Sequence, residues 1–284
     1  MVRFKKYWLF LLIILILPQA VFGAEKQKKQ PALKAALVVD MDSGKVLYEQ
    51  QANRLIQPAS LSKILALYLV NEDLRSGKVH LFDPVIISAD AVKTGGSKML
   101  YKEGEKVCLE DLIKGMAVLS ANDAAVAVAE YLAAGSIHKF VARMNAKARE
   151  LGMSHSYFVN PHGLPDSHQL STAHDILILS REYLQRFPDM LDIHSLQYLR
   201  YHSKTRRNRN VLLKECPDVD GLKTGYVRAA GYHVVATARR GDVRLIAVVL
   251  GAKNPRARAY EAKKLLEIGF RIIGDKRPNS LIGA

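Results

Sequence analysis

Pro58-Ala59-Ser60-Leu61-Ser62-Lys63 is the stretch on which the reading of this 284-residue chain turns. It opens a helix, because Leu61, Ile64, Leu65, Tyr68 and Leu69 recur at i, i+3, i+4, i+7 and i+8, one apolar stripe of a 3.6-residue repeat. Ser60 and Lys63 share a face, about 5 to 6 Å apart at Cβ, so an extended lysine brings its nitrogen back to the serine hydroxyl. A serine hydroxyl is a weak nucleophile until a neighbour accepts its proton, and a lysine does so once burial or a second cation keeps it neutral. A serine after a proline at a helix start is also a common N-cap, so the meaning of the pair depends on what else in the chain faces it.

The flanks of this helix read as sheet. Ala35 to Asp40 and Lys45 to Gln50 are strand-like runs joined by Asp42-Ser43-Gly44, a hairpin. Near the other end Tyr232 to Ala238 and Arg244 to Leu250 form a second hairpin around Arg239-Arg240-Gly241-Asp242, and Ala257 to Phe270 reads as a closing amphipathic helix. Between them the chain reads mainly helical as far as Tyr183, and the strand signal returns only after Val219. Both ends therefore feed one antiparallel sheet and the middle forms a helical lobe. This is an α+β architecture with a cleft where lobe and sheet meet.

Two further segments reach that cleft. Ser120-Ala121-Asn122-Asp123 interrupts the pattern between an apolar helix, Leu112 to Leu119, and an alanine-rich one, Ala124 to Ala133. Asn122 or Asp123 is expected to cap the second helix, which leaves Ser120 to relay a proton and the Asn122 amide to bind a substrate amide. Asp220-Gly221-Leu222-Lys223-Thr224-Gly225-Tyr226 sets a cation and a hydroxyl on a strand bordering the cleft, with a glycine that lets a ligand approach the backbone.

Residues 1–23 have the form of an export signal, with Arg3, Lys5 and Lys6 before the apolar run Trp8 to Leu17 and small residues near Gly23 and Ala24, where cleavage is expected. An uncleaved N-terminal anchor is the alternative. The protein is expected to be exported to the periplasm or another extracytoplasmic space, soluble after cleavage. Residues 24–34, rich in lysine and glutamine, read as a flexible leader. The formal charge is +15, and removing the signal takes three cations and no acid, so the remainder stays strongly basic. For an exported protein that favours weak contact with anionic wall polymer or a membrane surface, and no nucleic-acid motif is present. The basic run Arg200, Lys204, Arg206, Arg207 and Arg209 is expected to be a solvated hairpin loop. The two cysteines, Cys108 and Cys216, allow one bridge or two free buried thiols. His155, His162, His168 and His174 lack zinc-ligand spacing, so no metal or cofactor is expected, and His162 reads as a structural residue of its turn.

In chain order, Ser60-x-x-Lys63, Ser120-x-Asn122 and Lys223-Thr224-Gly225 form the motif set of penicillin-binding proteins and class A β-lactamases. The chain resembles the serine D-alanyl-D-alanine carboxypeptidases among the low-molecular-weight penicillin-binding proteins. The likeness runs from about Ala35 to Phe270 and includes Gly95-Gly96-Ser97-Lys98-Met99, Phe158-Val159-Asn160-Pro161-His162-Gly163-Leu164, Ser171-Thr172-Ala173-His174-Asp175 and Leu265-Leu266-Glu267-Ile268-Gly269-Phe270. The resemblance implies a penicillin-binding/β-lactamase-like fold, an antiparallel sheet of about five strands flanked by helices with an inserted all-helical lobe. It implies a catalytic domain over residues 35–273 and a short tail, 274–284, with no β-sandwich domain or amphipathic anchor.

By the same resemblance Ser60 attacks the penultimate D-alanine carbonyl of a peptidoglycan stem peptide. Lys63 is its base, Ser120 passes a proton to the leaving amine, and Asn122 holds the substrate backbone. The backbone N–H groups of Ser60 and Tyr226 form an oxyanion hole, worth roughly 3 to 4 kcal/mol per donor in other acyl-transfer enzymes. Lys223 and Thr224 grip the terminal carboxylate, Arg258 adds to that grip, Gly225 completes the substrate site by letting the ligand close to the sheet edge, and β-lactam antibiotics are implied as covalent inhibitors. Lys63 and Lys223, both facing Ser60, should depress one another's pKa. Ala121 and Val227 depart from the family's common glycine and threonine. A D,D-endopeptidase cutting cross-links, or a non-catalytic wall-binding module, are the alternatives. A β-lactamase is disfavoured because no Glu-x-x-Leu-Asn segment is found.

Overall fold

Strands near the two ends of the chain pair in one sheet, as their alternating and apolar runs require. The computed structural model describes residues 32–274. In its first half run β1 (Ala35–Asp40), β2 (Val46–Gln50), α1 (Ser62–Arg75), β3 (Pro84–Ile86), α2 (Ala89–Lys93), β4 (Lys106–Cys108), α3 (Leu109–Val118) and α4 (Asn122–Leu132). There follow α5 (Ile137–Glu150), α6 (Ala173–Arg186), α7 (Met190–His194), β5 (Tyr198–Tyr201), β6 (Lys204–Arg207), α8 (Leu212–Glu215), β7 (Val219–Val227), β8 (Gly231–Arg240), β9 (Val243–Ala252) and α9 (Pro255–Gly274). The main sheet has five strands in the order β2-β1-β9-β8-β7. Its pairs are antiparallel, with Val38 opposite Ala247 and Val235 opposite Val248.

Both faces of this sheet are covered, which explains why its strands read as nearly continuous apolar runs. Ala36, Val38, Val234, Ala236, Ala247 and Val249 pack on one side with Ala259, Ala262, Leu265 and Leu266 of α9. Their neighbours Leu37, Val39, Val235, Ile246 and Val248 turn to the other side and join the core shared with the helical lobe. The two sets alternate along each strand, the period of two that a pleated backbone imposes.

Helix α1 departs from the expected single stripe. Residues Ser62 to Asn71 are all buried, because α3, α4, α5 and α6 contact it and leave no side for solvent. Each of its buried leucines contributes roughly 1.5 to 3 kcal/mol of apolar burial, and Lys63 is enclosed with them.

Four other differences from the sequence reading have simple causes. The lobe carries two small ribbons, β3 with β4 and β5 with β6, whose strands are too short for periodicity to reveal. Leu33 and Lys34, expected in the flexible leader, are docked, since Leu33 is buried and the Lys34 N–H donates to the Leu250 carbonyl at 3.0 Å. Helix α9 runs on past Phe270 to Gly274. Cys108 and Cys216 are free thiols, but neither is buried, because Cys108 lies on the exposed β4 ribbon and Cys216 is half-buried beyond α8. Among the described residues no helix is long and apolar enough to cross a membrane. The expected signal and most of the leader and tail, 1–31 and 275–284, lie outside the described residues.

Candidate active site

Ser60 sits in the single 3-10 turn Ala59–Leu61 that leads into α1, and its position is set by what presses on that turn. Ala59 adopts φ +51, a left-handed conformation that costs a non-glycine residue energy and persists only when its surroundings hold it. Gly163 backs the turn so closely that a Cβ there would fall 1.9 Å from the Ala59 carbonyl oxygen. From the opposite side Gly225 of β7 leaves room for only 3.2 Å between an added Cβ and the Ser60 nitrogen. Ser60 is thus clamped between a loop of the lobe and the edge strand of the sheet. It does not act as the N-cap of α1, a position held by Leu61.

One turn on, the Lys63 Nζ lies 3.2 Å from Ser60 Oγ, 2.6 Å from Asn122 Oδ1 and 2.6 Å from the His162 carbonyl oxygen. A neutral amine has two N–H donors and one lone pair. With its two hydrogens on Asn122 and His162, neither of which can give a proton back through these oxygens, the lone pair is left for the Ser60 hydroxyl. Burial holds the Lys63 pKa well below the ordinary lysine range, the Lys223 charge lowers it further, and Asp123 opposes both. The side chain is 0% exposed, an environment that favours the neutral amine.

Ser120 and Asn122 come from the α3–α4 junction, where Ser120 takes φ +60 and turns the chain sharply. The expectation that Asn122 or Asp123 caps α4 is not met, since Ala121 is the N-cap and no side chain caps it. Asn122 is instead committed to Lys63 through Oδ1 and donates from Nδ2 to the Gly95 carbonyl at 2.7 Å, keeping one amide N–H for a ligand. The Asp123 carboxylate accepts the backbone N–H groups of Met99 and Leu100, both at 2.9 Å, and so ties the 95–100 loop to the helix. Ala121 is buried with ordinary φ −63, so the junction does not need a glycine there.

The third wall is β7, the edge strand. Lys223 Nζ donates to Ser120 Oγ at 2.8 Å and to the Thr224 carbonyl at 3.0 Å. Its pKa falls to about 7, first through burial and then through the charges of Arg258 and Arg209. Thr224, Gly225, Tyr226 and Val227 line the cleft, and the exposed Tyr226 ring stacks on Tyr232 with centroids 4.2 Å apart. Arg258, at the start of α9, is buried rather than on the surface, and its guanidinium donates to the Arg209 carbonyl at 3.2 Å. Burial and the Arg209 charge lower its pKa to about 10, with Tyr232 acting the other way.

These residues border one cleft of about 860 Å³, with Ser60, Ser120, Asn122, Thr224, Gly225, Tyr226 and Arg258 on its surface. Lys63 and Lys223 lie beneath it. His162 shapes its turn, accepting the Leu164 N–H at Nδ1, and burial followed by the Lys63 charge lowers its pKa to about 3. The basic run Arg200, Lys204, Arg206, Arg207 and Arg209 lies on and just after a largely exposed hairpin, as expected, but its second part, Arg206, Arg207 and Arg209, also lines the cleft. Arg206 donates to the Lys98 carbonyl at 2.6 Å and Arg209 to Ser97 Oγ at 3.4 Å, drawing the β5–β6 hairpin onto the 95–100 loop. Sequence reasoning gave no role in the site to Gly163, Gly96 or these arginines, and gave Asp123 only that of a helix cap. The one sign available was a basic run with no acid interspersed.

Residues 23–254 match the family model described as D-alanyl-D-alanine carboxypeptidase. D-alanyl-D-alanine carboxypeptidase DacC of Escherichia coli is 40% identical over 275 residues, covering 94% of this chain and 68% of that protein. Among solved structures, penicillin binding protein 5 from Haemophilus influenzae superposes with a TM-score of 0.82 at 35% identity, covering 85% of this chain and 72% of that one. Penicillin-binding protein D2 from Listeria monocytogenes in its cefotaxime-bound form gives 0.77 at 31% identity, covering 84% and 97%. With the fold, the motif order and these likenesses in agreement, the chain belongs to the D-alanyl-D-alanine carboxypeptidase family, serine hydrolases with the penicillin-binding-protein fold.

Proposed function

We propose that this D-alanyl-D-alanine carboxypeptidase works through an acyl-enzyme on Ser60. The observation that carries the reading is the placing of the buried Lys63 Nζ within 3.2 Å of Ser60 Oγ and 2.6 Å of the Asn122 and His162 oxygens, which in the neutral amine take its two N–H bonds and leave its lone pair for the Ser60 hydroxyl. Ser60 Oγ attacks the penultimate D-alanine carbonyl of a peptidoglycan stem peptide as its proton passes to Lys63. The oxyanion is met by the backbone N–H groups of Ser60 and Tyr226, aligned by the close approach of Gly225 to the Ser60 turn. Ser120, in contact with Lys223, gives its proton to the leaving amine and is reprotonated by the one Lys63 took, so the C–N bond breaks, the terminal D-alanine departs and Lys63 is neutral again. Water then attacks the ester as the neutral Lys63 takes its proton and passes it to Ser60 Oγ, which leaves as the free hydroxyl while the shortened peptide departs with a new terminal carboxyl group.

Lys223, Thr224 and Arg258 hold the terminal carboxylate, and the free amide N–H of Asn122 holds the substrate backbone. β-Lactams, whose strained amide presents the same carbonyl and carboxylate, acylate the same serine, a reading supported by the cefotaxime-bound relative. Residues 35–273 form the catalytic domain. The hydrophobic N-terminal run and the charge of +15 support export and weak attraction to anionic wall polymer or a membrane surface.

Mass analysis of defined muropeptides after incubation with the mature protein tests this directly. Pentapeptide monomers should lose one alanine, and a Ser60→Ala control should leave them intact. Cleavage of cross-linked dimers alone would move the activity to an endopeptidase, and no change in either substrate would leave a wall-binding module.

A further inference from the structure

A cleft that grips one terminal carboxylate needs few cations, and this one has a surplus. Besides Arg258, its walls carry Arg206, Arg207 and Arg209 around the end of β6 and Arg228 just beyond β7, and no aspartate or glutamate is among its lining residues. The arginine ion pairs among the described residues are made elsewhere, by Arg143, Arg186, Arg240 and Arg244. Arg206 and Arg209 are braced against the 95–100 loop. Arg207 and Arg228 are exposed, and both residues line the cleft.

The direction of β7 says what part of a substrate meets them. A peptide with its terminal carboxylate at Thr224 and its scissile carbonyl at the Tyr226 N–H runs on past Val227, at about 3.3 Å per residue. The residue preceding the D-alanyl-D-alanine pair therefore lies beside Arg228, with Arg207 also bordering that cleft. An arginine is suited to such a place because it stays charged and presents a planar fork that fits a carboxylate.

We propose that Arg207 and Arg228 form a second anion subsite that selects stem peptides with a free side-chain carboxylate on the residue preceding D-alanyl-D-alanine, over peptides with an amide or an amine there. The proposal rests on the acyl-enzyme reading above and adds the substrate class to it.

The test uses three pentapeptides that differ only at that third residue, which is meso-diaminopimelate with its carboxylate free, the same residue amidated, or lysine. D-Alanine release gives kcat/KM for each, with the wild type, Arg207→Ala, Arg228→Ala and the double variant, at low and high salt. The wild type should prefer the free carboxylate over the amide by about tenfold, the double variant by less than about twofold, and the wild-type preference should shrink as salt screens it. Arg228→Glu should turn the preference toward the lysine peptide. Both positions are exposed, and melting temperatures verify that each variant is folded. Equal turnover of the free and amidated peptides by the wild type, or a preference that survives in the double variant, would overturn the inference while leaving the carboxypeptidase intact. Release of D-alanine from none of the three would overturn both.

Discussion

The floor of the cleft and its mouth are both built from basic residues, and solvent makes them chemically opposite. Lys63 and Lys223 on the floor are 0% and 2% exposed, and their nitrogens are matched to oxygens of Ser60, Asn122, His162, Ser120 and Thr224. Arg207 and Arg228 at the mouth are exposed. Burial turns an amine into a base, because desolvation disfavours its charged form, whereas an arginine in contact with water remains a cation. In the proposed mechanism Lys63 takes up a proton on the floor and the exposed arginines keep their charge at the mouth, while Lys223 serves as a cation only below its pKa of about 7.

The sharpest way to break the comparison is to put the mouth's residue on the floor. Lys63→Arg keeps a cation near Ser60 but cannot give up its proton, and kcat/KM for D-alanine release should fall by about a thousand- to ten-thousand-fold. A variant within tenfold of the wild type would mean that the floor supplies charge and not a base. Gly163→Ala tests the clamp on the Ser60 turn. The added methyl would sit 1.9 Å from the Ala59 carbonyl at φ +85, so the backbone must move. We expect a loss of about a hundredfold in kcat/KM and about 1 to 3 kcal/mol in stability, read by steady-state kinetics and denaturant melts.

The pH dependence sharpens the floor itself. As pH rises, kcat/KM should increase while Lys63 loses its proton, and then fall near pH 7 as Lys223, with a pKa of about 7, ceases to be a cation for the carboxylate. Arg258 is among the charges that lower Lys223, so Arg258→Ala should move the alkaline limb to higher pH while weakening carboxylate binding about tenfold. A limb that stays in place would separate Arg258 from Lys223. The smallest effect belongs to the mouth. Arg207→Ala and Arg228→Ala should change stability by no more than about 0.5 kcal/mol, which thermal melts can check, since both side chains are exposed.

What the sequence made legible divides along similar lines. The hairpins at 35–50 and 231–252 could be read because both faces of the sheet are covered and the runs are long. Strands β3 and β4 could not, since three residues contain no period. Helix α1 was read as one stripe because periodicity reports a side facing solvent, and this helix has none from Ser62 to Asn71. Ser60, Lys63, Ser120, Asn122 and the Lys223 to Tyr226 segment were visible as spaced motifs, and they border or underlie one cleft. Gly163 and Asp123 were not, because their importance lies in close approaches between segments far apart in the chain. The bracing of Arg206 and Arg209 against the 95–100 loop was hidden within what read as a solvated run, because sequence does not show which wall a loop joins.

The most direct test of the central claim is a nitrogen NMR titration of the Lys63 amine in the folded, unliganded enzyme, assigned with a Lys63→Arg control and paired with the pH dependence of Ser60 acylation. The account predicts that Lys63 loses its proton well below the ordinary lysine range and that the acylation rate climbs along the same curve. An ammonium that persists to about pH 10 while Ser60 is still acylated at neutral pH would contradict it.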